Sequence, residues 1–123
     1  MEVYSNGDRI ARTTSSGPLL RQLISPSNSA ASALSCAEAT LAPGSRLREH
    51  YHLLAEEMYY ILQGTGEVSI HGETCKVKMG DCVLIPPGQR HRITNPATSS
   101  KTLVLLVVST PPHSMDDEYS TEI

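Results

Sequence analysis

The chain has no phenylalanine and no tryptophan, and its aromatic hydrophobes are limited to five tyrosines. A core must therefore come mostly from Leu, Ile, Val, Ala and Tyr. Cysteine is sparse as well: Cys36, Cys75 and Cys82 are widely spaced, form no CxxC pair and are odd in number. That pattern excludes a disulfide framework and predicts reduced, buried or half-buried thiols. The Val83, Leu84 and Ile85 neighbours of Cys82 place it in the core on this reading. Long apolar runs are missing too. The longest, Leu103 to Val108, is too short to span a bilayer as a helix, and the N-terminus lacks a basic stretch followed by an apolar one. A soluble, cytoplasmic protein without a membrane partner is expected. A formal charge of −3 provides no broad basic surface. The densest basic stretch, Arg90–His91–Arg92, belongs to no nucleic-acid module, so no nucleic-acid partner is expected.

What is present is a succession of short strand-like segments punctuated by Gly and Pro. The 123 residues suit one domain. A domain this small gains from burial between subunits, which makes a homodimer the expected assembly. Residues 1–29 read as an N-terminal extension whose segment Pro18 to Ile24 supplies an edge or dimer-contact strand. Residues 30–110 read as the barrel proper. Within it, Leu34, Cys36, Glu38 and Thr40 alternate with Ser35, Ala37, Ala39 and Leu41, giving a strand ended by Pro43–Gly44. Further strands are predicted over Arg46 to His52, Glu57 to Gln63, around Val68 and Ile70, over Cys75 to Met79 with one buried face, over Val83 to Ile85, Arg90 to Thr94, and Lys101 to Ser109. Residues 111–123 read as a polar, solvated tail. Many short strands without a long helical pattern define an all-β sandwich or barrel.

Two spaced patterns carry the chemistry. The first is Gly44-x5-His50-x-His52-x4-Glu57-x6-Gly64, and the second is Gly80-x5-Pro86-x-Gly88-x2-His91-x3-Asn95. They offer three imidazoles and one carboxylate, a donor set suited to a mid-series divalent metal. His50 and His52 lie two residues apart on an extended chain, so their side chains share a face. The glycines need no ligand role, because turns demand their backbone freedom.

Residues 44 to 95, which carry both patterns, resemble the cupin superfamily. The resemblance implies a single cupin jelly-roll β-barrel, with the flanking strands completing the roll. It also implies that His50, His52, Glu57 and His91 are the metal ligands. Spacing to Gly64 favours Glu57 over its neighbour Glu56, which would face the opposite side of the strand. Iron(II) or manganese(II) is the favoured metal, and nickel(II) or zinc(II) suits the same donors.

Three further residues are candidates for catalysis. Arg48 shares the alternation of His50 and His52, so it is expected above the metal, pairing with a substrate carboxylate or holding Glu57. Tyr59 shares the face of Glu57 and can orient oxygen or donate a proton. Glu38, on a neighbouring wall, is a candidate acceptor for a ligand histidine. His71 and His113 read as turn and tail residues. The leading function is an iron-type dioxygenase acting on a small, oxygen-rich substrate, in which Arg48 points to an anionic group. The alternatives are a non-redox metal-dependent isomerase, cyclase or lyase, and a non-catalytic metabolite-binding cupin.

Overall fold

Alternating inward and outward side chains organise most of the chain into strands. The computed structural model describes residues 1–122. The strands are β1 (Ala11–Thr13), β2 (Leu19–Ile24), β3 (Ser35–Leu41), β4 (Arg46–Tyr51), β5 (Glu56–Gln63), β6 (Thr65–Ile70), β7 (Glu73–Lys78), β8 (Cys82–Ile85), β9 (His91–Thr94), β10 (Leu103–Thr110) and β11 (Tyr119–Ser120). One sheet has the order β1-β2-β3-β10-β5-β8 and the other β11-β4-β9-β6-β7, and the strand pairs are antiparallel. This is a jelly-roll barrel. Among the described residues, helix is confined to two short 3-10 turns, Asn6–Asp8 and Met115–Asp117, and no helix is long and apolar enough to cross a membrane.

The inner faces supply the core. Leu41 from β3, Ile61 from β5, Ile93 from β9 and both Leu103 and Leu105 from β10 are fully buried, each at 0% exposure. Each such side chain stabilises the fold by about 1.5–3 kcal/mol through burial. Behind them, Asn95 ties two loops together by donating its amide hydrogens to the Leu41 carbonyl at 2.9 Å and the Lys101 carbonyl at 2.8 Å. Gly64 is required where β5 turns into β6. Its φ is +81°, and a Cβ there would stand 2.5 Å from the Thr102 carbonyl oxygen.

Several expectations need correction. β2 is not an edge strand, because β1 from the polar N-terminal segment pairs outside it. The inward face of β3 is Ser35, Ala37, Ala39 and Leu41. Ser35, Ala39 and Leu41 are buried, and Ala37 lines the interior cavity described below. Cys36, Glu38 and Thr40 take the other face. Cys75, Cys82 and Met79 are exposed, so β7 buries Val77 alone. Cys82 lies on β8, the last strand of its sheet, where the outer side is open. The tail is also more than a solvated segment. β11 pairs with β4, and the Glu122 carboxylate accepts from the Glu49 backbone N–H and from Arg46.

Candidate metal centre

β4, β5 and β9 converge at one end of the barrel. β4 delivers His50, and His52 follows just after the strand. Across the sheet, β9 places His91 directly opposite His50. β5 turns Glu57 and Tyr59 inward while Glu56 is exposed. His52, Glu57 and His91 are 3%, 4% and 0% exposed, and His50 is half-buried. One ligand atom from each of the four lies within 4.8 Å of all the others.

The donors fit a metal ion on two structural grounds. First, each imidazole hydrogen-bonds a backbone carbonyl through Nδ1: His50 to Arg48 at 2.7 Å, His52 to Asp117 at 2.9 Å and His91 to Gln89 at 2.9 Å. A carbonyl only accepts, so Nδ1 carries the hydrogen and the Nε2 lone pair of each neutral ring is left for a ligand role. Second, His52 Nε2 is buried and has no hydrogen-bond partner. It stands 3.4 Å from Glu57 Oε2, and His91 Nε2 stands 3.2 Å from Glu57 Oε1. A buried unpartnered nitrogen is costly unless another group engages it.

The electrostatics follow from this crowding. Burial alone would raise the Glu57 carboxyl, but the adjoining His52 and His91 rings hold it down at about 2. Burial pushes His52 down, yet the Glu57 carboxylate and the Asp117 carbonyl outweigh it and raise the ring above its ordinary value. Burial and the neighbouring His91 depress His50. Tyr59 is raised well above the ordinary phenol range, first by burial and then by the charge of Glu57, so its hydroxyl stays protonated.

A cavity of about 100 Å³ adjoins the group, with Glu57, Tyr59 and His50 on one side and Leu20, Leu47 and Val107 among its apolar walls. It continues into an outer vestibule bordered by Arg48, Glu49 and the Thr13–Ser16 segment. Of the three further candidates, the structure brings only Tyr59 to the group. A bulge in the β4–β9 pairing between Leu47 and His50 breaks the alternation, so Leu47 joins His50 in lining the cavity while Arg48 is exposed at the vestibule. Arg48 serves His50 through its backbone carbonyl instead. Glu38 lies on the outer face of β3, where it accepts from Asn6 and pairs with Arg21 at 3.9 Å, away from the histidines.

Sequence reading missed the contribution of the tail. His113 lines the cavity with its ring edge-on to His52 at 5.9 Å between centroids. Its Nε2 donates to Glu118 at 2.9 Å. This bond, followed by the nearby histidines, lowers the Glu118 carboxyl despite its burial. Asp117 braces the loop between His52 and Glu57: its carboxylate accepts from the backbone N–H groups of Leu53 at 3.0 Å, Leu54 at 3.1 Å and Ala55 at 3.1 Å. An isolated His and three consecutive acidic residues in a Pro-flanked tail gave no periodic signal for this return.

A small antiparallel β-roll with a three-histidine, one-carboxylate group at its mouth defines the class of protein. The chain belongs to the cupin domain family, whose model matches residues 37–109. It is similar to an uncharacterised protein of Methanocaldococcus jannaschii, MJ1618, with 38% identity over 85% of this chain and 82% of that one. It is also similar to the tetracenomycin polyketide synthase protein TcmJ of Streptomyces glaucescens, with 31% identity over 70% of this chain and 58% of that relative. Among solved structures, the polyketide cyclase RemF of Streptomyces resistomycificus aligns with a TM-score of 0.82 and 21% identity, covering 100% of this chain and 87% of that one. At that identity the likeness speaks for the fold alone.

Proposed function

We propose that this protein is a metal-dependent cyclase or lyase acting, without net redox change, on a small oxygen-rich organic substrate. His50, His52, Glu57 and His91 hold the metal, and iron(II) or manganese(II) suits these donors. A divalent ion there supplies Lewis-acid stabilisation of negative charge developing on a substrate oxygen. The remaining tasks fall to the chain. Tyr59 keeps its proton and donates a hydrogen bond from its hydroxyl into the cavity. His113 takes up or returns a proton at Nδ1, while Glu118, holding the Nε2 hydrogen, orients the ring and balances its charge. Leu20, Leu47 and Val107 limit water beside the reacting atoms.

The observation that carries this reading is the pairing of functions around one cavity. Beside the donor group stand two proton-handling groups that do not belong to it, Tyr59 and the His113–Glu118 pair. Dioxygenation, which the sequence alone ranks first, calls for the same donors but gives these groups less to do. The polyketide-related relatives support the non-redox choice as well.

The test is to supply metal-loaded protein with a panel of enolisable polyketones, with and without air, while following product formation and dioxygen uptake. Equal turnover in both conditions is expected. Turnover that consumes dioxygen would overturn the proposal in favour of a dioxygenase, and binding without turnover would assign a metabolite-binding protein. Tyr59→Phe should lower kcat by about 100-fold with metal content unchanged.

A further inference from the structure

One cation bordering the cavity has no task in that reaction. β1 pairs with β2 so that Arg12 lies opposite Leu20, and β2 pairs with β3 so that Leu20 lies opposite Ala39. Directly opposed residues of antiparallel strands share a face. Ala39 is buried in the core and Leu20 packs against it, so Arg12 is carried on the inner face of the outermost strand. The adjacent row shows the outward alternative: Arg21, opposite Ala11, pairs with Glu38 on the outer face.

Arg12 has no comparable partner. Among the described residues its side chain makes no hydrogen bond or ion pair, although it lines both the inner cavity and the vestibule. The carboxylates near it are already engaged. Glu57 faces His52 and His91, Glu118 accepts from His113, and Glu49 accepts from Thr121 at 2.6 Å and lies 4.0 Å from Arg90. Arg12 is the one arginine or lysine that lines the inner cavity among the described residues. A guanidinium keeps its charge and presents a planar fork of donors that matches carboxylate or phosphate. The Thr13 to Ser16 hydroxyls border the same mouth.

We infer that Arg12 is the anion-recognition residue of this pocket, and that the substrate is an organic anion. Its oxygen-bearing head faces the His/Glu group, its carboxylate or phosphate rests on Arg12, and its apolar body spans the walls between them. The inference rests on the metal-centred reading of the site.

The experiment uses zinc-loaded full-length protein and three catechol probes, followed by calorimetric titration: neutral ethylcatechol, dihydrocaffeate with its remote carboxylate, and the phosphate ester of hydroxytyrosol. At least one anionic probe should bind about 10-fold more tightly than ethylcatechol. Whichever anion gains more identifies the group. Arg12→Ala should erase that advantage and leave ethylcatechol unchanged, while Arg12→Lys keeps part of it; Arg12→Gln repeats the test should the alanine variant fold poorly. Equal affinities in the native protein would overturn the inference. So would an anion preference that survives in Arg12→Ala, because the anion would then be held by the metal. His91→Ala separates the two readings: ethylcatechol binding that ignores this change removes the metal-centred site, whereas the comparison between probes still judges Arg12.

Discussion

Four strands each bury an aliphatic residue at one end of the barrel and a polar one at the other. β3 carries Leu41 and Ser35, β5 Ile61 and Glu57, β9 Ile93 and His91, and β10 Leu103 and Ser109, all at most 4% exposed. At the aliphatic end, the one fully buried polar side chain among the described residues is Asn95: both of its amide hydrogens are committed to backbone carbonyls, and its Oδ1 has no partner. At the polar end, several ionisable groups are buried together: Glu57 sits between two imidazoles, and His52 Nε2 also has no partner. Equal burial thus conceals unequal cost. Removing water from aliphatic groups stabilises the fold, whereas removing it from unpaired polar groups opposes folding. A barrel could be closed at both ends with aliphatic residues, so the polarity of one end points to a task other than stability.

The largest expected effect breaks the aliphatic end. Ile61→Ala should cost about 2–5 kcal/mol of unfolding free energy, read by denaturant titration. Metal content of the folded variant should stay at the native level. A simultaneous loss of metal would mean that the two ends are not separable.

At the polar end, His91→Ala should weaken metal affinity by at least about 100-fold, beyond what loss of an outer hydrogen-bond partner typically causes, as measured by competition with a chelating dye. Native occupancy would remove His91 from the donor set. Asp117→Ala sharpens the comparison further. It touches no donor atom, yet it frees three backbone N–H groups in the His52–Glu57 loop, so metal affinity should fall by about 10–100-fold. An unchanged affinity would reduce the tail to a cover.

The polar end was also the more legible in sequence, up to a limit set by backbone regularity. Fixed spacing between turns singled out His50, His52, Glu57 and His91, and the structure brings one ligand atom of each within 4.8 Å of the others. Arg48 was misplaced because strict alternation hides a bulge, and the bulge brings Leu47 and His50 to one face. The phase of β3 is not legible in the sequence for a different reason. Its Ser-Cys-Ala-Glu-Ala-Thr run has small residues on both faces, so hydrophobicity does not orient it until Leu41 reaches the core. Cys82 followed its apolar neighbours into the predicted core because strand order, and hence which edge is open, is not written locally. His113, Asp117 and Glu118 depend on the tail folding back across the whole barrel, and that contact has no short-range signature.

The smallest effect is a pH dependence in which the metal-free and metal-loaded proteins move in opposite directions. His52 is raised above 6.5 by the Glu57 carboxylate and the Asp117 carbonyl, against burial. In the metal-free protein its stabilising contribution is therefore complete below the unfolded value of about 6.5 and is lost as pH rises through the raised folded value. A metal needs the Nε2 lone pair, so the same proton competes with it, and affinity should climb with pH by no more than about tenfold per unit until His52 is neutral. Glu57, held at about 2, is ionised throughout this range and adds no slope, and depressed His50 adds little. Thermal melts between about pH 6 and 8 should thus show the metal-free protein weakening slightly while added metal stabilises progressively more. Parallel curves would show that His52 exchanges no proton for metal, and the polar end would then be an ordinary buried network like the one around Asn95.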